Sequence, residues 1–306
     1  MMSNNSDWIS ATIIEDDDSD TDNKNKTEVV IINKPKRKVK VNARPKVELL
    51  ETEQTQIQEE EKETQTKEKT IRMRSSNILK HCFNPSINII ELGIDEAGRG
   101  PMFGRVYAGV VVLPKDNPNF KFDWMKDSKK FHSKKKIEEV ADYIKQNCVA
   151  WSVEFEDEQK IDEINILQAT QSAMHKAIKN VLIKLHANAN ANANLAIENI
   201  LLLVDGNYFK TYSTLNKSKT KLEIVKHLLV EGGDNKFCSI AAASILAKVE
   251  RDKYIEELCL ENPELSEHYG IDSNKGYGSK KHLDGIKMHG ITKWHRKTFG
   301  ICKEFA

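Results

Sequence analysis

Glycine is absent until Gly93 of this 306-residue chain, and Trp8 is the one aromatic residue among positions 1–82. Such a stretch has too little apolar surface to offset the entropy of ordering, so residues 1–86 are expected to be a disordered, low-complexity tail. Its blocks are an acidic "EDDDSDTD", a basic "KPKRKVKVNARPK" and a Glu/Gln/Lys run. The five cysteines are scattered and form no CxxC pair, which excludes a disulfide scaffold and a cysteine-based zinc site. No apolar run approaches the ~18 residues of a membrane span, and no signal peptide opens the chain. An intracellular, cytoplasmic, soluble protein is expected, with the basic 34–46 segment as an alternative nuclear address or nucleic-acid arm. An excess of one charge is lacking as well: the formal net charge is +1.

The charges that are present are unevenly placed. Residues 275–303 hold eight Lys/Arg against Asp284 alone, and residues 126–136 hold six lysines against Asp127. Two basic blocks in a near-neutral domain suit a polyanion track or a solvated surface. From residue 87 the composition becomes globular. "INIIELGI" and "VYAGVVVLP" read as strands, "SKKKIEEVADYIKQN" as a helix and "CVAWSVEF" as a strand. "INILQATQSAMHKAIKNVLIKL" has the three- and four-residue spacing of a long amphipathic helix. The alanine-asparagine tract at 187–194 follows as a loop insertion, then a buried strand "IENILLLVD" and a second long helix "FCSIAAASILAKVERDKYIEELCLE". Strands alternating with long helices predict an α/β layered domain over 87–306.

Four acids stand where acids are unusual. Asp95 and Glu96 end the first strand, Asp205 ends "ILLLV", and Asp234 follows "VEGG" before the Ala-rich helix. Taken singly, Asp205 reads as the opening of a turn and Asp234 as a helix N-cap. Taken together at strand ends, they suit one site holding Mg²⁺ or Mn²⁺, hard cations that prefer oxygen. Adjacent strand residues point to opposite faces, so the chain is expected to twist or leave the strand at Asp95-Glu96, with Gly93, Gly98 and Gly100 permitting the departure. Asp252 lies 18 residues beyond Asp234. A continuous helix would separate the two by roughly 27 Å, so Asp252 is expected to be a salt-bridge partner instead.

In order along residues ~88–300, "GIDEAGRGP", "DSKK", "NILQAT..AM..A", "VDGN", "GGD", "IAAASILAKVERD" and "NKGYGSKKHLDGI" resemble ribonuclease HII, the type 2 ribonuclease H, in its bacterial single-chain form. The resemblance implies a ribonuclease H-like fold, a mixed, roughly five-stranded sheet flanked by helices. It implies two divalent ions held by Asp95, Glu96, Asp205 and Asp234. The implied activity is cleavage of the RNA strand of RNA–DNA hybrids, and 5′ of single ribonucleotides embedded in duplex DNA, in ribonucleotide removal and DNA replication or repair. Gly98, Arg99 and Gly100 would sense the 2′-hydroxyl through their backbone, and Tyr277 would lie against the following deoxyribose. Ser128, Lys129 and Lys130, with Asn165, Gln168, Lys280 and Lys281, would contact phosphates. His282, His289 and His295 are too dispersed for zinc and read as surface or phosphate contacts.

The chain departs from that pattern in Arg105, which stands where a proline is usual, in the insertion and in the tail. Ribonuclease HIII fits less well, because Gly-Arg-Gly is present and residues 1–87 cannot form a packed domain. A catalytically dead hybrid-binding scaffold fits less well too, since all four acids remain. A monomer is expected, with protein partners for the tail as a further, compatible role.

Overall fold

The structure, a computed structural model, describes residues 78–188, 196–215 and 220–306. Residues 1–77 of the tail expected over 1–86, and residues 189–194 of the alanine-asparagine tract, lie outside the described residues. Residues 79–86, just before the expected domain start, are tied to the domain. Lys80 exchanges backbone bonds with Lys236 and Cys238 (2.8 and 2.9 Å). The Glu91 carboxylate accepts from the N–H groups of Phe83 (2.9 Å) and Asn84 (2.7 Å) and pairs with Lys115 Nζ at 2.8 Å.

Five strands make one mixed sheet: β1 (Ile90–Ala97), β2 (Val106–Val112), β3 (Ala150–Glu156), β4 (Ile200–Asp205) and β7 (Lys226–Val230), in the order β3-β2-β1-β4-β7. β1 runs antiparallel to β2 and β2 to β3, whereas β1, β4 and β7 are parallel neighbours. β5 (Ser213–Leu215) and β6 (Leu222–Ile224) pair as a separate ribbon. Sequence reading found the first four sheet strands but not β5, β6 or β7. The three- to five-residue lengths of these strands carry too few alternations to register as strands.

Helices cover both faces. On one face α2 (Glu158–Asn188) packs Ala173, Met174, Ile178 and Val181 against Leu92, Ile94, Val110 and Leu202. On the other lie α1 (Lys134–Asn147), capped by Ser133, and α3 (Cys238–Glu261). Their Ile137, Ile144, Ala241, Ala242 and Ile245 meet Val111. The small residues of α3 let it sit close: a Cβ at Gly93 would lie 2.1 Å from the Ser239 carbonyl carbon, and one at Gly109 2.4 Å from the Ala243 oxygen. Three short helices, α4 (Glu264–Tyr269), α5 (Ile271–Asn274) and α6 (Lys280–His289), gather a smaller core around Phe103, Leu265 and Ile286. That core carries the loop bearing Tyr277.

Candidate active site

Because β1, β4 and β7 are parallel, their C-terminal ends reach the same rim of the sheet. Asp95 and Glu96 lie at the end of β1, Asp205 ends β4, and Asp234 sits in a single 3-10 turn, Gly233–Asn235, just past β7. Of the two expected alternatives, a twist or a departure, the chain does not leave the strand at the two acids. β1 stays paired to β2 through Asp95↔Gly109, Glu96↔Ala108 and Ala97↔Tyr107. It departs only at Gly98, whose φ is +91°. The acids therefore keep opposite faces, and they meet the others because β1 extends beyond its last paired position with β4, Ile94↔Val204.

Asp95 turns toward α3, where it is bonded to Ser244, and its Oδ1 accepts from the Glu96 N–H at 2.7 Å. It is 5% exposed. Burial, then the charges of Glu96 and Asp205, hold its pKa well above the usual carboxylate range. Glu96 is also raised by burial, against the pull of Arg99, whose Nη1 lies 3.1 Å from Oε1, with Asp205 adding to the rise. Asp234, 6% exposed, is raised by burial and by Asp127 and Asp205. Asp205 Oδ1 accepts from the Gly233 N–H at 2.6 Å, which fixes β4 to the turn carrying Asp234. Asp205 is thus the hub whose charge reaches the other three. The alternative reading of Asp234 as an N-cap does not hold, since Phe237 occupies that position of α3. Asp252 pairs with Lys248 at 2.8 Å, as expected.

Four carboxylates with only oxygen donors fit a hard divalent cation. Burial, with the neighbouring acids, raises the proton affinity of Asp95, Glu96 and Asp234 because little positive charge offsets them. Each is turned to a local donor, Asp234 to Asn235 Nδ2 at 3.0 Å. Among the described residues no group of three His, Cys, Asp or Glu side chains is posed to hold a metal as it stands.

Beside the carboxylates, Gly98, Arg99 and Gly100 form the loop after β1. Tyr277, 52% exposed, stands next to it: a Cβ built on Gly100 would meet its Cε1 at 3.4 Å. Lys129 and Lys130 are exposed, and Lys130 bonds the Asn235 amide oxygen. Ser128 is buried instead, bonded to Ser244 at 3.1 Å. It supports the residue that holds Asp95. Asn165 adopts φ 67° and ψ 164° at a kink in α2 and accepts from Gln168 N at 3.1 Å. Gln168 lines a cleft of about 540 Å³ with Lys176, Lys179, Lys210 and Tyr212. Lys280 is exposed, while Lys281 donates to the Ser266 carbonyl at 2.8 Å.

The reading of all three histidines as surface or phosphate contacts is corrected for two of them. His282 and His295 are 0% and 1% exposed, their Nε2 atoms 3.1 Å apart in the small C-terminal core. His289 alone is exposed, stacked on His268.

The ribonuclease HII family model matches residues 92–302. The chain belongs to the ribonuclease HII family. It is 40% identical over 215 residues to the ribonuclease HII of Parabacteroides distasonis, covering 70% of this chain and 92% of that one. With the ribonuclease HII of Phocaeicola vulgatus it shares 41% over 216 residues, 70% and 90% of the two chains. The crystal structure of the ribonuclease H2 from Pyrococcus horikoshii OT3 shares its fold, with a TM-score of 0.50 and 22% identity over 71% of this chain and 97% of that one. The protein is an endoribonuclease H, a phosphodiester hydrolase.

Several residues of this family member's site escaped sequence reading. Asp127 accepts from Lys129 N (2.9 Å) and Asn235 Nδ2 (3.3 Å). Its own burial works against ionisation, but these bonds hold its pKa below the usual range. The "DSKK" motif contains it, and only its distance from Asp234 in sequence hid the link. Arg296 and Arg251 are both buried, but Arg296 in a basic block and Arg251 between Glu250 and Asp252 each read as solvated in sequence. Arg105, at the unusual position, stacks between Phe155 (4.0 Å) and Tyr254 (4.3 Å), away from the carboxylates' own contacts.

Proposed function

We propose that the enzyme cuts the RNA strand of RNA–DNA hybrids and also cuts 5′ of a single ribonucleotide embedded in duplex DNA, leaving 5′-phosphate and 3′-hydroxyl ends. The observation that carries this reading is the pairing of the buried acid cluster at the sheet rim with a Gly-Arg-Gly loop abutting an exposed tyrosine. Asp95, Glu96, Asp205 and Asp234 are the residues that would hold two Mg²⁺ or Mn²⁺ ions. When bound, such ions supply an activated water and neutralise charge at the departing 3′-oxygen. The protein itself does the selection. The N–H groups of Arg99 and Gly100 face a ribose, whose 2′-hydroxyl both donates and accepts, and the Tyr277 ring supports the deoxyribose that follows. Lys129 and Lys130 neutralise phosphates and set position without reading sequence. Removal of misplaced ribonucleotides during DNA replication and repair is the cellular role this chemistry serves. The working form is a monomer in the cytoplasm, with residues 1–77 available to protein partners.

The test is incubation with Mg²⁺ of a duplex bearing one ribonucleotide, followed by mapping of the cut. A single product ending in a 3′-hydroxyl, one nucleotide before the ribonucleotide, is expected. No cleavage of that duplex with intact cleavage of a long hybrid would remove the junction-reading half of the proposal.

A further inference from the structure

Two buried arginines hold the loop that follows β1, and neither is used by the chemistry above. Arg296 is 0% exposed, and among the described residues it makes no ion pair. Its donors go to four carbonyls of one short segment: Nη2 to Gly98 (2.6 Å), Nη1 to Arg99 (3.0 Å) and Pro101 (2.8 Å), and Nε to Gly104 (2.8 Å). Arg251 adds bonds to Phe103 and Arg105 carbonyls, both at 3.3 Å, and to the Lys275 carbonyl at 2.9 Å. Burying a guanidinium without a carboxylate is costly, so a fold that keeps one there is using its fixed fork of donors.

The consequence follows from peptide geometry. The described chain has no cis peptide bond, and in a trans peptide the C=O and the N–H point in opposite directions. The carbonyl of Gly98 shares its peptide plane with the N–H of Arg99, and the carbonyl of Arg99 with that of Gly100. With both carbonyls drawn inward to one guanidinium, both N–H groups are aimed outward, toward the side where Tyr277 stands. Neither N–H has a hydrogen-bond partner among the described residues. The next N–H, that of Met102, is already taken by the Gly276 carbonyl at 2.9 Å.

Arg296 is in turn fixed from behind. Its backbone N–H donates to Met102 O at 2.8 Å. Asp162 accepts from the N–H groups of Lys297 (2.8 Å) and Thr298 (2.9 Å) and from the Thr298 hydroxyl (2.7 Å). The neighbouring His295 ring meets His282, whose Nδ1 lies 2.9 Å from the Tyr277 carbonyl. The loop and the tyrosine beside it thus share one buried frame.

We propose that Arg296 is a positioning residue for sugar discrimination: by capturing the carbonyls of Gly98 and Arg99 it presents the N–H groups of Arg99 and Gly100 as a preset pair of donors for the 2′-hydroxyl. This rests on the reading of Gly-Arg-Gly given under the proposed function. A lysine at 296 keeps the charge but has a single nitrogen and cannot hold four carbonyls at once.

The experiment compares binding to a duplex with one ribonucleotide and to the same duplex with deoxyribose there, in wild type, Arg296→Lys, Asp162→Asn and Gly100→Ala. Melting temperatures are measured alongside. The expected result for Arg296→Lys is a folded protein with unchanged affinity for the all-DNA duplex and a roughly tenfold smaller preference for the ribonucleotide, the size of one lost bond of ~1.4 kcal/mol. Asp162→Asn, which only loosens the segment carrying Arg296, is expected to lose about threefold of that preference, and it decides the matter if Arg296→Lys does not fold. A wild-type preference in the deciding variant, or an equal loss on both duplexes, overturns the proposal. Gly100→Ala separates the two layers. If it loses the preference while the deciding variant keeps it, the loop reads the sugar and Arg296 does not set it. If Gly100→Ala keeps the preference as well, the reading of the loop itself fails.

Discussion

Replacing Asp205 by asparagine should make the protein more stable and the enzyme inactive at once. Asp205 is the charge common to Asp95, Glu96 and Asp234, each of which it pushes toward the protonated form. At an effective dielectric near 20, like charges ~8 Å apart repel by about 2 kcal/mol, and screening at the rim reduces that. Against the relief stands the bond to the Gly233 N–H at 2.6 Å. An amide oxygen still accepts it, but losing its charge-assisted character costs about 1–2 kcal/mol. The balance favours the variant by up to about 1 kcal/mol, a rise in melting temperature of up to roughly 2–4 °C for a domain of this size. That gain should appear in buffer with a chelator. Mg²⁺ at one hundred times its dissociation constant should then stabilise the wild type by about 2.7 kcal/mol and leave the variant nearly unmoved. Turnover on a long hybrid should fall by about 10³-fold or more, in keeping with loss of several kcal/mol of transition-state stabilisation. A variant that melts lower than wild type in chelator would refute the repulsion argument. Equal Mg²⁺ stabilisation of both proteins, with turnover intact, would refute the assignment of Asp205 to the metal site.

Three further outcomes are expected. Tyr277→Ala should cut long hybrids at near wild-type rate but lose about tenfold on a lone ribonucleotide, compared as kcat/KM on the two substrates; an equal loss on both would make the ring a general contact. Burial and the neighbouring His282 lower the His295 pKa to about 3, so below pH ~6.5 the unfolded chain takes up a proton that the folded one refuses, and stability falls with pH. At pH 5 that is about 2 kcal/mol for one such histidine, and the melting temperature should drop more steeply with pH in wild type than in His295→Gln, whereas the raised carboxylates Asp95 and Asp234 act with the opposite sign in both proteins. Gly109→Val, which drives a side chain into the Ala243 carbonyl 2.4 Å from the first added atom, should cost roughly 3 kcal/mol or more in urea unfolding, with a small loss showing that α3 can slide.

The acids were legible as a set because each lies at the end of an apolar run, and parallel strands deliver their ends to one rim whatever lies between them. Long helices were legible for the same reason of period, their bounds falling within a few residues of Lys134–Asn147 and Cys238–Glu261. The start of α2 was not, because Asn165 interrupts the helical dihedrals and the turn before it, from Glu158, carries little apolar spacing. A departure from the strand at Asp95-Glu96 was not needed, because the pairing of β1 with β4 stops at Ile94 and leaves the end of β1 free on that side. Arg296, His282 and His295 were hidden by their company: within a run of lysines, residues that fold inward look no different from those that do not.

The four acids span 140 positions, and the last sits in a turn just past β7, the strand that pairs with β4. During synthesis the first pair therefore leaves the ribosome long before its partners exist. A chain broken between Asp205 and that turn carries the glycine loop and three of the four acids but no complete centre. The order of the parts along the polypeptide thus leaves the set of four acids incomplete until residue 234 has been made.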